Sequence, residues 1–174
     1  MNTKRIAKLR IAAAAICLAV PVALSGPAFA ADYSATSSFS WITSGTTYAL
    51  EEGHFVFAGD FSGLALPETG DGPLAQIITY VCPGIFDIGG PAQGFCVGTD
   101  ADGDKVFAVW SSVAAEAMPG TIAGGDGEIT YTGGTGKFEG ITGGGTFFSN
   151  TVSILPNGSI AGFTPLNITY TIPD

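Results

Sequence analysis

An all-β chain that closes into an antiparallel barrel of about eight strands is the fold class this sequence predicts. Three observations carry it. Beyond residue 30 the chain is rich in Gly, Thr, Ser, Phe, Ile and Val, and poor in Leu, Lys and Arg. No stretch after Ala31 holds a long 3.6-residue apolar period, whereas short β-branched and aromatic runs recur between turn formers. The third is Gly125 to Phe148, which reads as strand, glycine elbow, one turn, glycine elbow and strand. Glycine at that density loses entropy on folding, so it belongs where the backbone turns sharply or packs against another backbone. Closing the sheet leaves no edge, which suits an exported chain.

Taken in order, Ala31 to Ser38 is small and polar and reads as a loose lead-in. Strand pattern starts at Phe39–Ile42 and resumes at Thr46–Leu50 after a Ser44-Gly45 break, before the turn Glu51-Glu52-Gly53. His54 to Phe61 is a strand with Phe55, Phe57 and Phe61 on one face. Its other face carries His54, Val56, Ala58 and Asp60, the first polar groups in a position that a barrel would enclose. Ser62–Pro73 and Pro83–Pro91 read as loops around the strand Ala75–Cys82. Gly94–Thr99 and Lys105–Ser112 flank Asp100-Ala101-Asp102-Gly103-Asp104, a hairpin signal. Val113–Ala117 reads as a helical turn ended by Pro119-Gly120. Gly127–Tyr131 and Gly145–Ser149 bracket the elbow, where Lys137-Phe138-Glu139 sets one apolar plug between two charges. Val152–Leu155 and Ser159–Phe163 flank Pro156-Asn157-Gly158, and Leu166–Ile172 closes with strict alternation.

Residues 1–30 read as a secretory signal peptide. Lys4, Arg5, Lys8 and Arg10 precede the apolar run Ile11–Leu24, and Ala28-Phe29-Ala30 is a small-x-small site that places cleavage after Ala30. Ile16 stands where a lipoprotein site at Cys17 needs a small residue. Residues 31–174 then form one domain, secreted or periplasmic in a bacterium, with no membrane span after cleavage. That part keeps Lys105 and Lys137 against fifteen acids, a net charge of −13. Such a surface repels nucleic acid and anionic membranes, and the acidity suits solubility outside the cell. No cofactor is expected. Cys82 and Cys96 are expected to pair as a disulfide, because no His stands near either to make a metal site.

The segment Gly133-Gly134-Thr135-Gly136-Lys137-Phe138-Glu139-Gly140 resembles the glycine motif of allene oxide cyclase-type barrels, which include the plant dirigent proteins. The motif is Gly-Gly-Thr-Gly, a basic residue, an aromatic, any residue and Gly, set between two late strands. Cys82-Pro83-Gly84, Gly94-Phe95-Cys96 and Asp100–Lys105 look more like bacterial secreted proteins of the same barrel type. The resemblance implies an eight-stranded calycin-type barrel with a lumen open at one end, and a homodimer or homotrimer. The families' catalytic residues find no residue-by-residue match in this chain, so the cyclase reaction is not carried over.

Several candidate sites follow from residue type and spacing. Asp100, Asp102 and Asp104 imitate the start of a calcium loop, but the twelfth position is Ser111 and the glycine falls fourth, so a hairpin turn is the favoured reading. His54 is the only histidine. It and Asp60 are candidates for acid–base work, yet six residues of strand put them roughly 20 Å apart. Gly133–Lys137 lacks the spacing of a phosphate loop, and there is no Gly-x-Ser-x-Gly elbow. Trp41, Tyr48, Tyr80, Trp110, Tyr131 and Tyr170 are the amphipathic aromatics able to line a pocket for a flat apolar ligand. The leading expectation is therefore an exported barrel that binds a small apolar or phenolic molecule and leans away from enzymology. A cyclase or isomerase using His54, Asp60, Glu116 or Tyr131 is the alternative, and a filled barrel serving a structural or surface-interaction role is the third.

Overall fold

The computed structural model describes residues 30–173. Eight strands follow one another: β1 Ala30–Glu51, β2 His54–Gly70, β3 Ile78–Asp87, β4 Ala92–Thr99, β5 Lys105–Ala115, β6 Ala123–Gly134, β7 Thr142–Ile154 and β8 Ile160–Pro173. Each pairs antiparallel with its neighbour in sequence, and β8 returns to β1, so the sheet closes into a ring. The only helical element among the described residues is the single 3₁₀ turn Gly136–Phe138. The all-β expectation and the count of eight strands hold. The signal peptide lies outside the described residues, apart from Ala30, which opens β1 opposite Pro173.

Five segments read as loop, break or helical turn are strand. The lead-in Ala31–Ser38 pairs with β8 from Ala31 opposite Ile172 to Ser38 opposite Pro165. Ser44-Gly45 passes unbroken, Ser62–Gly70 continues β2, and Pro83–Asp87 continues β3. Val113–Ala115 ends β5 rather than starting a helical turn. Ladder bonds to neighbouring strands outweigh the weak strand preference of Ser, Gly and Pro in these stretches.

Strand alternation points one set of side chains inward, and those residues divide the ring into two ends. One end is filled. Ile78, Val106, Phe138 and Ile141 are fully buried there, with Tyr80, Tyr131 and Tyr170 against them. The 3₁₀ turn carries Phe138 into this end as its plug. Gly136 takes φ +56°, the left-handed region that favours glycine. The turn is latched to the β4–β5 turn: Thr135 N donates to Lys105 O at 2.7 Å, and Lys105 N donates to Thr135 Oγ1 at 2.9 Å. The β2–β3 connection is held to the same end by Tyr170, whose hydroxyl accepts from Leu74 N at 2.9 Å and donates to Asp71 O at 3.0 Å.

The opposite end is hollow. It lies between the late parts of β1, β3, β5 and β7 and the early parts of β2, β4, β6 and β8. Beyond Ile42, β1 leaves β8 and pairs only with β2, so the β1–β2 hairpin projects past the ring.

Candidate ligand cavity

The hollow end encloses about 100 Å³ of free space. One water needs roughly 10–15 Å³ on this measure, so the space suits a molecule of about one aromatic ring. Phe39, Trp41, Phe61, Phe86, Trp110, Ile129, Phe147 and Leu166 form most of the wall. Ser112, Ser149, Thr151 and Thr164 add hydroxyls, and no charged side chain lines it.

Phe61 is the centre of the aromatic arrangement. Trp41, Phe57 and Trp110 each meet it edge to face, with centroid separations of 5.3, 5.7 and 5.7 Å. Such pairs are favourable because a positive ring edge meets a negative ring face. The rings lie against glycine backbone, which keeps them out of the centre. A Cβ on Gly84 would come within 2.5 Å of Trp110 Cζ2, and one on Gly94 within 2.8 Å of the same atom. Gly162 lies under Trp41 in the same way, its missing Cβ within 2.7 Å of Cη2. Inward glycines thus trade side-chain volume for flat aromatic walls and free space.

The two tryptophans differ in their polar ends. Trp41 Nε1 donates to Thr164 Oγ1 at 2.9 Å, and Thr164 Oγ1 donates in turn towards Ser149 Oγ at 3.4 Å. Trp110 Nε1 is shut off from solvent and has no hydrogen-bond partner. The only other such buried side-chain atom among the described residues is Asn150 Oδ1, and Asn150 is not part of the cavity wall.

Cys82 and Cys96 form a disulfide between β3 and β4 and both face the cavity. The bridge falls between the cross-strand pairs Val81–Val97 and Gly84–Gly94. The bridge is compatible with a secreted or periplasmic protein.

Of the six aromatic candidates, Trp41 and Trp110 line the cavity. Tyr80, Tyr131 and Tyr170 belong to the filled end instead, with Tyr131 edge-on to Tyr170 at 6.3 Å. Tyr48 is 54% exposed on the projecting hairpin. Phe39, Phe61, Phe86 and Phe147 were not singled out by sequence. Strand alternation in the closed ring turns each of them inward, and only the assembled ring tells which inward residues meet a void.

The acid–base candidates are not at the cavity. The phenylalanine face of β2 points inward, through Phe57 and Phe61, so Asp60 stands on the outer face. This reverses the expectation that the polar face would be enclosed. His54 opens β2 beside the turn at the tip of the β1–β2 hairpin, its Nε2 2.9 Å from Asp87 Oδ1 and its Nδ1 3.8 Å from Glu51. Glu116 is exposed after β5. Tyr131 is buried, and burial followed by the neighbouring Tyr80 and Tyr170 pushes its phenol well above the usual value. Burial raises Tyr80 as well, with a hydrogen bond to Tyr131 opposing the shift. Both phenols stay neutral at any physiological pH.

The aspartate cluster is an ion-pair site without room for calcium. Asp100 Oδ1 accepts from the backbone N of Asp102 at 2.9 Å and of Asp104 at 3.0 Å, which closes the hairpin turn. The Lys137 ammonium lies 2.7 Å from Asp100 Oδ2 and 2.6 Å from Asp102 Oδ2. Lys137 N also donates to Asp104 Oδ2 at 3.1 Å. The lysine occupies the position a cation would take, and no group of three or more metal-ligating side chains is present among the described residues.

The outer wall of β3 and β4 exposes Val81, Ile85, Phe95 and Val97. Set against known proteins, the chain matches no family model, no curated protein and no solved structure.

Proposed function

We propose that this chain is an exported barrel of the allene oxide cyclase and dirigent kind that holds a small apolar or phenolic molecule in the hollow end of its interior. The observation that carries the reading is the cavity itself. Its wall is aromatic and aliphatic, it is open to about one ring's worth of ligand, and the opposite end of the same ring is packed solid. A barrel that served only as a structural body would gain by filling this space as it fills the other, since each unfilled volume forfeits dispersion contacts. The cyclase or isomerase alternative has no support at the wall, where no acid, base or metal-ligating side chain stands.

Both tryptophans of the chain line the cavity, so intrinsic fluorescence reports directly on occupancy. Residues 31–174 titrated with single-ring apolar compounds and simple phenols should show a saturable change in tryptophan emission. A linear, unsaturable response to every compound contradicts the reading.

A further inference from the structure

Four connections join the strands at the hollow end: β1–β2, β3–β4, β5–β6 and β7–β8. Every one of them exposes large apolar side chains. Leu50 and Phe55 flank the first turn, Ile88 follows β3, Met118 and Ile122 stand between β5 and β6, and Ile154 ends β7, each between 41% and 66% exposed. We infer that this rim docks on a lipid surface whose headgroups are zwitterionic, with the six side chains entering the lipid.

The clustering belongs to one end of the ring and not to the composition. Connections at the filled end bury their large apolar residues: Leu74, Phe138 and Ile141 are at most 3% exposed, and Ile77 alone stands out. Those connections carry charge instead, through Asp71, Asp102, Asp104, Lys137 and Glu139. Single exposed apolar residues are ordinary on a protein surface, whereas a set gathered on one end marks an interaction site.

A lipid layer is the partner these residues fit. They come from four separate connections placed around the mouth of the cavity, where Phe86, Val113, Ala123 and Ile160 belong both to the cavity wall and to the strand ends beside the connections. A protein partner would have to match four loops and the opening between them. Lipid deforms around protruding side chains and binds in proportion to the apolar area it takes up. Docking does not depend on an occupied cavity. Where the hollow end is also the ligand site, the docked rim opens it onto lipid instead of water.

The headgroup class follows from charge. The four connections carry Glu51, Glu52 and Glu116 and no Lys or Arg. His54 beside them is engaged by Asp87 and Glu51. Basic clusters are what draw a protein to anionic lipid, and this rim has none, on a chain with a net charge of −13 beyond residue 30. A zwitterionic layer offers the same apolar interior without that repulsion.

Residues 31–174 are mixed with vesicles of phosphatidylcholine or of phosphatidylglycerol and recovered by flotation. Uptake onto phosphatidylcholine should saturate, and uptake onto phosphatidylglycerol should be weaker at low salt. Leu50→Ser and Ile122→Ser should each weaken uptake by about tenfold, the worth of one large side chain kept out of the lipid, while melting as the parent does. Phe95→Ser, on the exposed outer wall of β4, should leave uptake unchanged. No uptake onto phosphatidylcholine, or a loss with Phe95→Ser equal to that with the rim variants, overturns the inference. Stronger uptake onto phosphatidylglycerol overturns the zwitterionic class. A dimer that Leu50→Ser and Ile122→Ser dissociate in sedimentation equilibrium, without vesicle uptake, makes the rim an interface between copies and overturns the lipid partner. A saturable tryptophan response to a ligand without vesicle uptake keeps the ligand site and overturns only the docking.

Discussion

The Lys137 ammonium lies 2.7 Å from Asp100 Oδ2, joining the turn between β4 and β5 to the 3₁₀ turn between β6 and β7. Asp100 is buried while Lys137 stays partly in water. The bond therefore spans the rim of the filled end and holds the plug carrier against it. The hydrogen bond from Lys137 keeps the Asp100 carboxyl below its ordinary value, with burial opposing and the two turn amides assisting. A carboxylate depressed in the folded state contributes stability above its unfolded value and loses it as pH falls through the folded value. Lys137→Met should lower the melting temperature at neutral pH, and the gap from the parent should close as the pH is taken below about 3.8, the ordinary carboxyl value. Equal melting of the two at pH 7 would show that the pair does not hold the turn. Added calcium should leave the parent's melting curve in place, because the lysine fills the site.

Phe138 is fully buried at the end opposite the cavity. Phe138→Ala should cost about 3–5 kcal/mol in urea unfolding. Gly136→Val should also destabilise, since Gly136 has φ +56° and a Cβ there would collide with the Asp104 carboxylate. Variants that remain folded should keep the parent's ligand preference, because the two ends share no wall at this position. A Phe138→Ala variant that melts like the parent but no longer binds would reverse the assignment of the two ends.

The disulfide closes a short loop, with Cys96 fourteen positions after Cys82. In the chain-entropy account a bridge of this span stabilises by roughly 3 kcal/mol. Replacing both cysteines by Ser should lower the urea midpoint by a corresponding amount, with the denaturant slope rising as the unfolded chain expands. An unchanged midpoint would mean that the β3–β4 ladder alone holds this part of the ring.

Much of this fold was legible in the sequence. Turn chemistry at Asp100–Asp104 and Pro156–Gly158 marked two hairpins, and strict alternation over Leu166–Ile172 marked the closing strand. The elbow at Gly133–Gly140 and its plug Phe138 were legible because left-handed glycines leave a residue-level signature. The first strand's start was not, since Ala31–Ser38 gains its order by pairing with the last strand, nearly the whole chain away, and from Ala35 also with the far end of β2. The cavity was half legible. Trp41 and Trp110 stood out as amphipathic, but Tyr80, Tyr131 and Tyr170 carry the same signal and sit in the packed end. What separates them is what stands across the interior: free space in front of Trp41 and Trp110, and Ile78, Val106 and Phe138 packed with the tyrosines. The role of Lys137 was hidden because its partners lie more than thirty residues away, where only the folded ring brings them together.

Gly125 offers a way to close the cavity without disturbing the ring. It lines the cavity, and a Cβ there would meet Val113 O at 3.4 Å and the Ser112 side chain at 3.7 Å, ordinary contacts. Gly125→Leu should fold with little loss of stability, because the side chain enters free space and the unfolded chain loses entropy. Ligand affinity should fall by about tenfold or more as the side chain takes up the space, equivalent to at least about 1.4 kcal/mol. Unchanged affinity in a stably folded Gly125→Leu would place the ligand elsewhere.

The most direct measurement is the position of a bound ligand. Isotope-filtered NOE spectra of residues 31–174 saturated with acetophenone should show contacts from the ligand ring to Trp41, Trp110, Ile129 and Leu166, and none to Ile78 or Ile141. NOEs confined to the outer apolar residues Val81, Phe95 and Val97, with the hollow end silent, would contradict the account.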